Sequence, residues 1–197
     1  MVISDRNRCI FVHIQKTGGA SIETLLLAAD PAAAANQHHG RRHLFARAIR
    51  PIAGPERWNR YFKFSFVRNP WDRLVSWYHM CMQVSSPNAF SHHVREHAPT
   101  FDAFVTTMTT GIAQRTTWNQ LDYVVDEHDA PMLDFVGRYE TLRDDVARVC
   151  ERIGVAFDLP HMNRSQHLHY RDYYSAATRR IVAERFARDI AHFGYEF

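Results

Sequence analysis

Cys9-Ile10-Phe11-Val12-His13-Ile14-Gln15-Lys16-Thr17-Gly18-Gly19-Ala20-Ser21 is the stretch from which the architecture follows. Residues 9–14 are an apolar, β-branched run suited to a sheet. Beyond Ser21, the residues Ile22, Leu25, Leu26 and Ala29 recur at i, i+3, i+4 and i+7, which is one face of a helix. The order is therefore strand, glycine-containing turn, helix. Adjacent glycines let the backbone turn closely and leave its N–H groups unshielded. Those groups and the helix N-terminus together favour an anion. Lys16 adds a full positive charge, and Thr17 and Ser21 add hydroxyls. The stretch is an arrangement for a phosphate or sulfate group. It is not a Walker A loop, because Lys16 precedes Gly18 and Gly19 instead of following the second glycine.

The same logic returns at Ser65-Phe66-Val67-Arg68-Asn69-Pro70-Trp71-Asp72-Arg73-Leu74-Val75-Ser76-Trp77-Tyr78. Residues 61–67 read as a central strand, and Pro70 suits the first position of a helix. Arg68 then stands at a strand's C-terminal end, where ligands gather in open α/β sheets. Its guanidinium can bind phosphate through two parallel hydrogen bonds. Ser76 falls within the following helix, at a spacing that shares a face with Asp72 or Arg73. A third strand is expected in 132–139, followed by a helix that starts at Thr141 and stops at Gly154. A short helix around 43–50, a loop over 84–100, a helix from Phe101 and one last helix from Ser175 to His192 complete the expected elements. Strands alternating with helices imply βαβ units and a mostly parallel sheet. The expected fold class is α/β, in three layers, with helices flanking the sheet. At 197 residues one domain over 1–197 is expected, with 84–120 as an acceptor-side insertion or lid.

Composition narrows the function classes. The chain has 24 basic and 21 acidic residues, a formal charge of +3. That excess is too small to mark a binder of nucleic-acid polymers and suits a pocket for small anions. Cys9, Cys81 and Cys150 are odd in number and lack a Cys-x-x-Cys spacing, so no disulfide framework is expected. A reducing, cytoplasmic location follows as the expectation. No apolar run approaches the roughly 20 residues of a membrane helix. The opening MVISDRNR is too short and polar for a signal peptide. Oligomeric state is not readable.

Two anion-binding strand ends in one small sheet suggest a ligand with two separated phosphate-like groups. At this point the chain resembles a known family. FVHIQKTGGAS resembles the 5′-phosphosulfate loop of sulfotransferases, and FVRNPWDRLVSWY resembles their 3′-phosphate motif. The likeness is to the carbohydrate and heparan 2-O type branch, including its small bacterial members. It extends through Phe135–Leu142 and from Asn163 to Phe197, and is weakest over 84–120. The resemblance implies a P-loop NTPase-like fold, 3′-phosphoadenosine 5′-phosphosulfate (PAPS) as donor, adenosine 3′,5′-bisphosphate as product and no metal. It implies that Lys16 stabilises the bridging oxygen and departing phosphate. Thr17, Gly18, Gly19, Ala20 and Ser21 would form the 5′-phosphate cradle, and Arg68 and Ser76 would hold the 3′-phosphate. Two residues depart from the pattern. Gln15 stands where proline is common, which is expected to loosen the turn. Ala20 stands where threonine is common, which removes a hydroxyl contact.

Sulfuryl transfer asks for alignment, charge stabilisation and a base for the incoming hydroxyl. Histidine suits that role near neutral pH. The branch places a histidine base between the two motifs, where this chain has His38, His39 and His43. His43 is the first candidate and His39 the second. A carbohydrate or another small molecule is the expected acceptor. Spacings of four at His39/His43 and His93/His97 would suit zinc on a helix, but neither carries the glutamate of a His-Glu-x-x-His motif. His167, His169, Tyr170 and Tyr173 could contact adenine or simply pack. Gln120 is a candidate for acceptor hydroxyls. Two other classes stay open: an ATP-dependent small-molecule kinase, and a non-catalytic nucleotide or glycan binder.

Overall fold

The computed structural model describes residues 1–36, 42–83, 88–109, 119–158 and 168–197. Their contacts group into two compact units. The first comprises residues 1–68 and 120–163, the second residues 69–119 and 164–197.

The first unit holds the sheet. Strands β1 (Val2–Ser4), β2 (Cys9–Val12), β3 (Phe62–Val67) and β4 (Phe135–Arg138) lie in the order β1-β2-β3-β4. The pairs β2/β3 and β3/β4 are parallel, with Phe11 opposite Phe64 and Phe64 opposite Phe135. Strand β1 is antiparallel to β2 and adds an edge that the sequence did not announce. Its three residues are too few to display a period, and Arg8, at φ 46°, closes the turn between the two strands.

Alternation sorts the side chains. Cys9 and Phe11 of β2 and Phe64 and Phe66 of β3 face one layer, where they meet Ile22, Leu25 and Leu26 of α1 (Gly19–Ala29). Val146, Val149 and Ile153 of α6 (Leu142–Ile153) join the same cluster. On the opposite face α2 (Ala46–Arg60) packs against β2, with Ile49, Ala53 and Trp58 buried. The result is helix, sheet, helix, as the alternating pattern predicted. Helix α2 runs past the expected stop near residue 50. Pro51 is carried inside it, and Gly54 (φ 77°, ψ 162°) breaks it into two segments with Pro55 restarting the second.

The second unit is helical. It contains α3 (Pro70–Met82), α4 (Ala89–His97), α5 (Phe101–Met108), α7 (Ala176–Arg185) and α8 (Ala187–Phe193). Asn69 caps α3 by accepting from the Trp71 amide at 3.0 Å, and Pro70 opens the helix as expected. Leu74, Trp77, Cys81, Phe104, Val105, Val182 and Phe186 form its core. The tail docks through aromatic rings: Phe197 stands edge-on to Trp71, Tyr170 and Tyr174.

Two expectations need correction here. Residues 84–100 are not a loop throughout, because 89–97 form α4. Only Ser91 and Val94 are buried in that helix, so it has almost no apolar period to read. Its one legible signal is Asn88, whose side chain accepts from the Ser91 amide at 2.7 Å. The last helix is two helices. Phe186, 1% exposed, leaves helical geometry at φ −109°, ψ 26° while its ring stays in the core. No described helix is long and apolar enough to cross a membrane.

Candidate functional site

The loop after β2 is shaped by backbone. Lys16 (φ 66°) and Gly18 (φ 81°) both adopt left-handed geometry, and α1 begins at Gly19. A non-glycine residue held there stores strain of about 1–3 kcal/mol, which the surroundings must offset. Thr17 is fully buried and its Oγ1 donates inward to the Ile14 carbonyl at 2.9 Å. The Ser21 amide donates to the Gly18 carbonyl at 3.1 Å. Gly19 has no room for a side chain: a Cβ there would lie 2.2 Å from His13 Cδ2.

Behind the loop sits a buried polar group that the sequence did not single out. His13 and Glu23 are 4% and 5% exposed, with His13 Nδ1 3.4 Å from Glu23 Oε2. Arg42 Nε donates to the same carboxylate oxygen at 3.0 Å, and its Nη2 also pairs with it. Burial pushes the Glu23 carboxyl up, but the facing His13 ring and the hydrogen-bonded Arg42 outweigh it and hold the group at about 2. Burial favours the neutral form of His13.

His43 packs edge-on against the His13 ring, with centroids 4.5 Å apart. Its Nδ1 lies 2.9 Å from the His13 carbonyl oxygen. A carbonyl only accepts, so Nδ1 carries the proton and Nε2 keeps a lone pair. Burial, then the neighbouring His13, lower the His43 pKa to about 3. The imidazole is neutral at physiological pH. His39 lies outside the described residues, as do His38, Trp118 and His167.

The end of β3 is built from side chains. Arg68, 4% exposed, stacks its guanidinium on Tyr139 at 3.9 Å and donates from Nη1 to the Lys16 carbonyl at 3.2 Å. Its backbone amide donates to Gln120 Oε1 at 2.9 Å, and its carbonyl accepts from Gln120 Nε2 at 2.8 Å. Gln120 is fully buried and its amide is spent on Arg68, so it is not placed for acceptor hydroxyls. Gln15 does not leave a loose turn either. It is buried, and its Oε1 accepts from the Tyr123 hydroxyl at 2.7 Å.

The structure thus brings Lys16, Thr17, Gly18, Gly19, Ala20, Ser21, Arg68 and His43 into the first unit. Ser76, 7% exposed, lies on α3 in the second. Tyr173 of that unit bonds His79 Nε2 at 2.8 Å and packs on Phe101. The His93 and His97 rings stack at 4.3 Å, and His97 Nδ1 bonds the His93 carbonyl. Among the described residues no group of three or more His, Cys, Asp or Glu is arranged to hold a metal.

The first unit thus combines a mostly parallel sheet with a left-handed loop after one central strand and a buried arginine after the next. Comparison gives its class. The model of the sulfotransferase family matches residues 1–196, and the chain belongs to that family. Among solved structures it is similar to mouse sulfotransferase SULT7A1 complexed with PAP. The TM-score is 0.63 at 14% identity, covering 95% of this chain and 85% of that one. At that identity the likeness speaks for the fold. No curated protein matches the sequence.

Proposed function

We propose that this sulfotransferase moves a sulfuryl group from PAPS to a carbohydrate hydroxyl, with His43 as the base. The observation that carries the proposal is the His43 tautomer. Nδ1 is committed to the His13 carbonyl, which leaves Nε2 as the proton acceptor. The His13 carbonyl lies at the entrance to the Lys16 loop, so base and loop are held by one piece of backbone.

In the proposed mechanism Lys16, the N–H groups from Thr17 to Ala20 and the Ser21 hydroxyl bind the 5′ side of the donor. Thr17 contributes its amide, since its hydroxyl faces Ile14. Arg68 binds the 3′-phosphate, with Ser76 as the further ligand that the sequence motif assigns. His43 Nε2 takes the acceptor proton as the new S–O bond forms. The bond from sulfur to the bridging phosphate oxygen breaks on the opposite side. Lys16 collects the charge that develops there. Bound donor carries several negative charges, which raise the basicity of His43 when it is needed. No metal is required, because side chains and backbone supply the positive charge. Cys9, Cys81 and Cys150 are buried and form no disulfide, which supports a reducing compartment such as the cytoplasm.

The test is a thermal shift with adenosine 3′,5′-bisphosphate against AMP, ADP and ATP–Mg²⁺. A ligand at 100 times its Kd adds about 2.7 kcal/mol of stability. Stabilisation by the bisphosphate above the others is expected. A larger shift with ATP–Mg²⁺ would replace the donor assignment with a kinase. With ³⁵S-labelled donor and an oligosaccharide panel, His43→Ala is expected to keep bisphosphate binding and lose transfer.

A further inference from the structure

The two strand ends are joined by one turn. The β2/β3 ladder ends at the pair Val12 and Ser65. The Tyr139 amide still donates to the Val67 carbonyl at 2.7 Å, but Arg68 stands beyond the ladder. There Gln120 takes over. Its carboxamide offers one acceptor and one donor, as a peptide unit does, and exchanges both bonds with the Arg68 backbone. One buried side chain thereby extends β3 by a residue.

The next three residues, Leu121–Tyr123, form a 3-10 turn. In such a turn side chains at i and i+3 eclipse, so Gln120 and Tyr123 project the same way. Tyr123, fully buried, places its hydroxyl on Gln15, the residue before Lys16. Arg68 Nη1 then reaches the Lys16 carbonyl. The bonds close a circuit from Lys16 through Arg68, Gln120, Tyr123 and Gln15 back to Lys16.

We infer that Gln120 and Tyr123 are positioning residues whose turn sets the spacing between the two anion-binding strand ends, and so selects a ligand with two separated phosphates over one with a single phosphate. The inference rests on the assignment of Lys16 and Arg68 to the donor. Neither Gln120 nor Tyr123 need touch the ligand. Gln120 acts through Arg68, and Tyr123 acts through the residue before Lys16.

Isothermal titration of the full chain with adenosine 3′,5′-bisphosphate and with 5′-AMP tests this. Gln120→Met keeps the volume and removes both bonds. It should weaken the bisphosphate about tenfold, the scale of two lost hydrogen bonds, and leave 5′-AMP unchanged. If Gln120 works through Arg68, the Arg68→Ala/Gln120→Met double variant binds no more weakly than Arg68→Ala. Gln120→Glu supplies a second readout, should the methionine variant fail to fold. An ionised carboxylate can accept from the Arg68 amide but cannot donate to its carbonyl. A protonated one does both, so affinity should recover as the pH is lowered. Unchanged bisphosphate affinity in Gln120→Met, additive losses in the double variant, or a Gln120→Glu chain with no acid recovery would overturn the inference while the donor assignment stands. A wild-type chain that ignores the bisphosphate overturns both.

Discussion

In the proposed function the ends of β2 and β3 do related work with different materials. After β2 the chain makes its site from backbone: two left-handed residues, a helix start, and a glycine pressed against a histidine ring. After β3 it makes its site from side chains: an arginine laid on a tyrosine and a glutamine standing in for a strand. The first would present backbone N–H groups to one charge and tolerates no added bulk. The second would present one cation, held in place by its supports. A backbone cradle suits a group whose charge changes during reaction, and a buried arginine suits a group that must only be held.

That contrast can be broken at several points. The largest effect is expected from Lys16→Ala, with transfer falling by about 10²–10³-fold, as for loss of one charge-stabilising group. Steady-state assay with labelled donor checks it. An unaltered rate would remove the β2 end from the chemistry. Next is Gly19→Ala. Its Cβ would meet His13 at 2.2 Å, so overpacking should cost about 2–3 kcal/mol in urea unfolding. A variant as stable as wild type would show that the His13 ring can yield.

Acid sensitivity should belong to the β2 end. His13 and His43 are held neutral, and His43 protonates in the folded chain only near 3 against 6.5 unfolded. Below about 6.5 the unfolded chain therefore binds more protons, and stability is lost as pH falls. Each histidine contributes a slope of at most about 1.4 kcal/mol per pH unit. Glu23, at about 2 against 4.5 unfolded, contributes stability above 4.5 that is lost as pH falls towards 2. Urea titrations at pH 7.5, 6 and 5 read the slope, and His43→Asn should lessen it. A flat profile would mean that these histidines are solvated. The smallest effect is expected from Tyr123→Phe, about 1 kcal/mol for one buried hydrogen bond, visible as a lower Tm.

Much of this was legible in the sequence where local chemistry speaks. The Lys16 loop, the strand before Arg68, the Pro70 helix start and the Gly154 stop each depend on residues within a few positions, and each appears where expected. What escaped depends on distant partners. Gln120 reads as a candidate for acceptor hydroxyls until Arg68, 52 positions away, is seen to engage both ends of its amide. Gln15 looks like a defect in a turn until Tyr123 supplies its bond. Glu23 passes unmarked in the sequence until His13 and Arg42 are seen to close on it. Helix α4 has too little apolar surface to announce itself, and Phe186 interrupts a helix without a glycine or proline to mark the break.

The most direct test is titration of Lys16→Ala and Arg68→Ala with both 5′-AMP and adenosine 3′,5′-bisphosphate. If the β2 end holds the 5′ group and the β3 end the 3′ group, Lys16→Ala weakens both ligands. Arg68→Ala then weakens the bisphosphate alone, bringing it down towards the affinity of 5′-AMP. Equal weakening of 5′-AMP by both variants would contradict the division of labour between the strand ends.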